Sequence, residues 1–108
     1  MIKIKLFCAL GMSTGMLVRN MKKAAEKRGI EADIEACNEG KLADYCGEMD
    51  VALLGPQVSY TYDKNEVICN THNIPIAIIP MADYGMLDGD KVLDLAISKI
   101  DGNKIDGN

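Results

Sequence analysis

Four short strand-like segments recur along the chain, each followed by a segment with helical character. This alternation constrains the fold more than any other feature. Residues 2–7 (IKIKLF) alternate apolar residues with lysine and then turn wholly apolar, which predicts a strand. Residues 13–28 place Leu17, Met21, Ala24 and Ala25 at helical spacing, with Lys22, Lys23, Glu26 and Lys27 mostly on the other side, and Gly29 stops the helix. Residues 32–37 predict a second strand, after which Asn38 can cap a short helix over 39–46. The run VALL at 51–54 is fully apolar, as an inner parallel strand must be. A loop then leads to a helix over 62–71, and Pro75 precedes a fourth strand at 76–79. A second loop, MADYGMLDG, follows Pro80. Asp88 is placed to cap a last helix whose apolar face carries Val92, Leu93, Ala96, Ile97 and Ile100.

Repeated strand-then-helix order predicts an α/β domain with a parallel sheet. Right-handed crossovers leave few topologies, and the compact one has strand order 2-1-3-4 with helices on both faces. The expected architecture is a three-layer α/β/α sandwich around a four-stranded parallel sheet, flavodoxin-like in form. Chain direction reverses between strands 1 and 3, and ligands in such sheets bind at the carboxyl ends of the strands beside that reversal. Two loops meet there, one starting at Cys8 and the other at Gly55.

The first loop carries the chemistry. Cys8 ends a strand, and Ala9, Leu10, Gly11, Met12, Ser13, Thr14 and Gly15 lead into a helix. Glycines and small hydroxyl residues let this backbone curl so that several N–H groups point inward, making a phosphate-binding cradle at a helix N-terminus. The same donors favour a thiolate, so Cys8 is expected to be a low-pKa nucleophile lying exposed in its loop. Ser13 and Thr14 serve either as extra donors or as plain helix caps. In the second loop, Gly55, Pro56 and Gln57 face the first, and Gln57 is either a partner for a phosphoryl oxygen or a turn residue.

Composition narrows the alternatives. With 108 residues the chain is one domain, and 48% hydrophobic residues suffice for a core. A net charge of −4, with no run of Lys and Arg, leaves no footprint for nucleic acid. No stretch reaches the roughly 18 apolar residues of a membrane span. The apolar start is too short for a signal peptide, so a cytoplasmic protein is expected. Cys37, Cys46 and Cys69 have no CxxC spacing and read as small buried residues, and the single histidine, His72, gives no zinc pattern. No metal or cofactor is expected. His72 itself reads as an exposed loop residue at a helix end. Asp63, Glu66, Asp90 and Asp94 read as solvated faces, and Asp88 as a cap rather than a catalytic acid. Tyr60 and Tyr62 are set at a partner surface or over the third helix. Leu10, Met12 and Met16 ring the Cys8 loop, unless Met16 packs in the core.

Three functions compete: a phosphoryl carrier, a low-molecular-weight-phosphatase-like hydrolase, and a non-catalytic flavodoxin-like regulatory module. A cysteine phosphatase loop needs Arg six residues after the cysteine, where Thr14 stands instead, and Arg19 lies a turn further on. The bidentate clamp is missing, which favours the carrier.

The segments LFCALGMSTGMLV, DVALLGPQVSY and DYGMLDGDKVL, in this order and spacing, resemble the IIB component of the lactose/cellobiose class of the bacterial sugar phosphotransferase system. The likeness runs from about residue 4 to residue 100. It implies a IIA partner carrying phosphohistidine, which phosphorylates Cys8. The phosphocysteine then hands the group to a sugar in the membrane component IIC, at the inner face of the cell membrane. A β-glucoside, cellobiose or a related disaccharide is the implied sugar. The family's phosphate loop carries over to Ala9 through Gly15. Gly15 departs from the family's frequent serine, and Ser59 from a basic residue found in some members. Residues 1–100 are the expected IIB domain, and 101–108, with its repeated Asp-Gly-Asn, a flexible tail.

Overall fold

The computed structural model describes residues 1–9 and 12–106, and the side chains of these except 12, 13 and 104–106. Strands β1 (Ile2–Cys8), β2 (Ala32–Asn38), β3 (Val51–Leu54) and β4 (Ile76–Ile78) form one parallel sheet in the order β2-β1-β3-β4. Helices α1 (Met12–Lys27), α2 (Tyr62–Thr71), α3 (Met81–Gly85) and α4 (Gly89–Asp106) connect and follow them. Two 3-10 segments, Glu39–Glu48 and Pro56–Thr61, complete the chain. The expected strand order and flavodoxin-like layering are therefore present.

Alternation along β1 sorts the core into two faces. Ile4, Leu6 and Cys8 point to one side, where they pack with Leu17, Met21 and Ala25 of α1 and Val92, Leu93 and Ala96 of α4. Phe7 points to the other, packing with Leu42 and Val58 of the 3-10 segments and Cys69 of α2. Lys5 shares that second face and is only 5% exposed. Its Nζ donates to Glu35 Oε1 at 2.5 Å and lies 5.0 Å from the centroid of the Tyr45 ring, so the charge is partnered rather than solvated.

Local signals explain the element ends. Gly29, at φ +68°, closes α1. Asn38 Oδ1 accepts from Gly40 N at 2.9 Å, the expected cap, although the segment it starts is 3-10. Asp88 Oδ1 accepts from Lys91 N at 3.1 Å and caps α4. Asp90 and Asp94 are exposed, as expected, but both also bind Arg28, tying α4 to the end of α1.

Three differences from the sequence reading stand out. The stretch from Pro56 is 3-10 rather than loop, because Pro56 at its first position presets φ. The loop after Pro80 contains α3. The last helix continues to Asp106 where a tail was expected from residue 101, with Asn103 Nδ2 donating to Asn73 O at 3.3 Å.

Candidate phosphoryl-acceptor site

β1 and β3 are neighbours, and Phe7 pairs with Leu54, so the residues that follow each strand lie side by side. Gly55 thereby comes against Cys8. A Cβ at position 55 would stand 2.8 Å from Cys8 Sγ, 3.4 Å from Cys8 Cβ and 3.2 Å from Gln57 Oε1. The φ of Gly55 is −62°, which any residue adopts, so glycine is needed here for room and not for conformation. Its N–H donates to Phe7 O at 3.0 Å and also faces the Cys8 sulfur.

The other neighbour of the sulfur comes from α1. Thr14, in the first turn, is 2% exposed, and its hydroxyl is one of the groups that draw the Cys8 thiol down. The same oxygen lies 2.8 Å from the hydroxyl of Tyr84, which α3 delivers from seventy residues away. Thr14 and Tyr84 thus form a buried hydrogen-bonded pair that joins α1 to α3 beside the site.

Cys8 is 1% exposed. Burial pushes its thiol above the ordinary range, while the Thr14 hydroxyl and the Gly55 N–H pull it back down in part. This corrects the expectation of an exposed, resting thiolate. Strand alternation turns the side chain under the α1/α4 layer instead of out into the loop, and desolvation of the anion outweighs two donors.

The remaining expected site residues divide. Ala9 is exposed beside Cys8, Gly15 is exposed on α1, Pro56 is half-buried and Gln57 is exposed. Leu10 and Gly11 lie outside the described residues, as do the side chains of Met12 and Ser13. Met16 is 48% exposed and so belongs to the surface rather than the core. His72 is exposed at the far end of α2. Tyr62 is half-buried and donates to Glu66 Oε2 at 2.9 Å. Tyr84 is the site residue that sequence reasoning missed, because nothing in a run such as DYGMLDG marks which loop aromatic turns inward. Among the described residues, no group of three or more His, Cys, Asp or Glu is arranged to hold a metal ion.

Comparison with known proteins gives this geometry its context. The family model of the phosphotransferase-system lactose/cellobiose-specific IIB subunit matches residues 3–95. The chain belongs to that IIB family. An oligo-β-mannoside-specific IIB component of Bacillus subtilis is 39% identical over 98 residues, covering 91% of this chain and 95% of the relative. A galactose-specific IIB component of Lactococcus lactis is also 39% identical, covering 86% and 91%. The solution structure of a cellobiose-specific IIB component from Borrelia burgdorferi superposes with a TM-score of 0.80 at 41% identity, covering 94% of each chain. The lactose-specific IIB domain of Streptococcus pneumoniae, 21% identical, shares the fold with a TM-score of 0.81, covering 91% of this chain and 96% of that one. As a IIB component, the chain is a phosphotransferase that moves a phosphoryl group to sugar through a cysteine intermediate. No helix among its described residues is long and apolar enough to cross a membrane.

Proposed function

We propose that Cys8 is the phosphoryl acceptor, taking the group from the phosphohistidine of a IIA partner and passing it to a sugar held by a membrane IIC component. The observation that carries this reading is the place of Cys8: the carboxyl end of β1, at the chain reversal beside β3, where Gly55 stands directly against its sulfur. All four cysteines are free, but Cys8 alone lies on the α1/α4 face, and Cys37, Cys46 and Cys69 belong to the opposite one.

The transfer then runs as follows. The Cys8 sulfur attacks phosphorus in line with the histidine nitrogen, an S–P bond forms and the P–N bond breaks. The thiol proton passes to the departing imidazole nitrogen, so a sulfur that rests as a thiol still completes the step with charge conserved. The N–H groups of Ala9, Leu10, Gly11, Met12, Ser13, Thr14 and Gly15 cradle the phosphoryl oxygens, with Gln57 beside them. Gly55 and Pro56 set the wall opposite.

Partners dock over the carboxyl ends of the strands. Met16, Tyr60 and Met81 are exposed apolar side chains on the segments leaving β1, β3 and β4, and Met86 follows on the same connection. Adaptable methionines suit a surface that meets two different partners in turn. The protein acts in the cytoplasm and reaches the membrane through IIC. The sugar is a β-linked disaccharide such as cellobiose, and its selection belongs to IIC. Relatives equally similar to this chain carry the names of different sugars, as that division of labour requires.

The test is phosphoryl acceptance. Incubated with phosphorylated IIA, the protein gains about 80 Da, the mass of one phosphoryl group, and keeps it until IIC and sugar are added. Cys8→Ser abolishes the gain while the fold is retained. Normal labelling of that variant would remove Cys8 from the reaction. Continuous release of phosphate by the protein alone would favour a hydrolase.

A further inference from the structure

Three methionine thioethers stand open to solvent on the rim where partners dock. Met16 on α1 is 48% exposed, and Met81 and Met86, at the two ends of α3, are 75% and 79% exposed. Two hydrogen bonds hold these elements together. The hydroxyls of Thr14 and Tyr84 lie 2.8 Å apart, and Asn20 Nδ2 donates to Leu87 O at 2.8 Å. Met16 lies between those two anchor points on α1, one turn before Asn20 and on the same helix face. Met86 is the chain neighbour of Leu87, and Met81 is one turn before Tyr84. The three side chains therefore share one edge of the molecule, where the chain leaves β1 and β4.

The nucleophile is sheltered and the thioethers are not. Cysteine is oxidised through its thiolate and only where an oxidant can reach it. Cys8 is 1% exposed, and burial keeps its thiol protonated at neutral pH. A thioether has no proton to lose, so access alone decides whether it reacts. Oxidation turns a flexible apolar side chain into a polar, chiral sulfoxide, which disrupts methionine-rich contacts and is reversed by sulfoxide reductases. We propose that Met16, Met81 and Met86 are a modification site: their oxidation by hypochlorous acid weakens docking of the phosphoryl donor, reversibly, while Cys8 is still intact. The proposal rests on the reading of this rim as the docking surface.

The chemistry balances without a cofactor. The thioether sulfur gives an electron pair to chlorine and the Cl–O bond breaks. Water then supplies the oxygen of the new S–O bond. Overall, one thioether and one hypochlorous acid give one sulfoxide, one chloride and one proton, with sulfur oxidised and chlorine reduced by two electrons.

The experiment treats the protein with limiting hypochlorous acid at pH 7 and maps each gain of about 16 Da, one oxygen, by peptide mass spectrometry. Met16, Met81 and Met86 are modified ahead of Cys8 and ahead of buried Met21 and Met49. The treated protein is then phosphorylated by IIA. The KM for phosphorylated IIA rises about tenfold, the loss of a modest interface hot spot, while the rate at saturating donor holds. The two stereospecific sulfoxide reductases, with dithiothreitol, bring KM back, and dithiothreitol alone does not. A variant carrying Met16→Leu, Met81→Leu and Met86→Leu keeps its own untreated KM after the same dose. It still has Met1, 76% exposed at the far end of β1, so it controls for oxidation as such.

Oxidation of Cys8 ahead of the three methionines overturns the proposal. So does an unchanged KM in the oxidised wild type, an equal loss in the leucine variant, or recovery with dithiothreitol alone. Failure of the docking reading has a different mark. Met16→Gln, Met81→Gln and Met86→Gln together make the rim polar without any oxidant, and they raise KM as the sulfoxides do. Were the glutamine variant to keep the wild-type KM, the rim would not be the docking surface. Were it to raise KM while oxidation did not, the docking reading would stand and the modification site alone would fall.

Discussion

The space between Gly55 and the Cys8 sulfur admits a hydrogen atom and little more. A methyl group at position 55 would meet Sγ at 2.8 Å, and the cheapest relief is rotation of the Cys8 side chain, since the sulfur is its free end. That relief misplaces the nucleophile by a fraction of an ångström to an ångström, an error that costs in-line transfer on the order of a hundredfold. Gly55→Ala is therefore expected to fold, with a melting temperature close to wild type, and to accept the phosphoryl group about a hundredfold more slowly in a single-turnover assay. An unaltered rate would show that the sulfur has room the structure denies it. Cys8 and Gly55 are legible in the sequence because each ends a strand whose partner can be inferred from topology. The tilt of Cys8 into the helical layer is not, since it depends on which face of β1 the alternation assigns to α1 and α4. Tyr84 is invisible for a related reason: its bond to Thr14 spans two elements that no sequence pattern brings together.

The two long helices of one face meet at a contact that glycine makes possible. A Cβ on Gly89 would lie 2.3 Å from the carbonyl carbon of Asn20, 2.5 Å from its oxygen and 2.6 Å from Met21 N, all backbone atoms of α1. Asn20 Nδ2 closes the same contact by donating to Leu87 O at 2.8 Å. Side chains can turn aside, but a helix backbone cannot, so Gly89→Ala is expected to cost about 2–3 kcal/mol in urea unfolding, the upper part of the overpacking range. Gly102, in the body of the same helix, is the matched control: nothing lies within 4 Å of its added Cβ. Gly102→Ala should gain about 0.5–1 kcal/mol from helix propensity. Were both changes to shift stability alike, the Gly89 contact would be looser than drawn. The same helix explains why the residues beyond 100 are misread from sequence. Gly and Asn are poor helix formers, which makes Asp-Gly-Asn look like a tail. Extending a helix already nucleated by buried Leu93, Ala96 and Ile100 costs little per residue.

Across the whole molecule the sheet divides the four thiols, with Cys8 on the α1/α4 side and the other three on the α2 side. Burial raises all four, and Cys69, fully buried under α2 with Cys46 adding to the effect, is pushed up to about 11. An acid whose folded value exceeds its unfolded one favours the folded state while both are protonated. That advantage is complete below the ordinary thiol value of about 8.5. It is lost progressively as pH rises toward the folded value, because the unfolded chain ionises first. For Cys69 the loss amounts to on the order of 2–3 kcal/mol, enough to matter against a marginal net stability. Urea unfolding at pH 7 and pH 10.5 checks this when the wild type is compared with Cys69→Ala. The variant is expected to be less stable at pH 7, by about 1 kcal/mol for the contacts removed. Its further drop on going to pH 10.5 should be smaller than that of the wild type by on the order of 2 kcal/mol. Tyrosines and lysines that titrate in the same range are common to both proteins and cancel in the difference. Equal drops would mean that the Cys69 thiol ionises in the folded protein as readily as in the unfolded chain. In that case water reaches the α2 face, and the seal over the Cys69 sulfur would not hold.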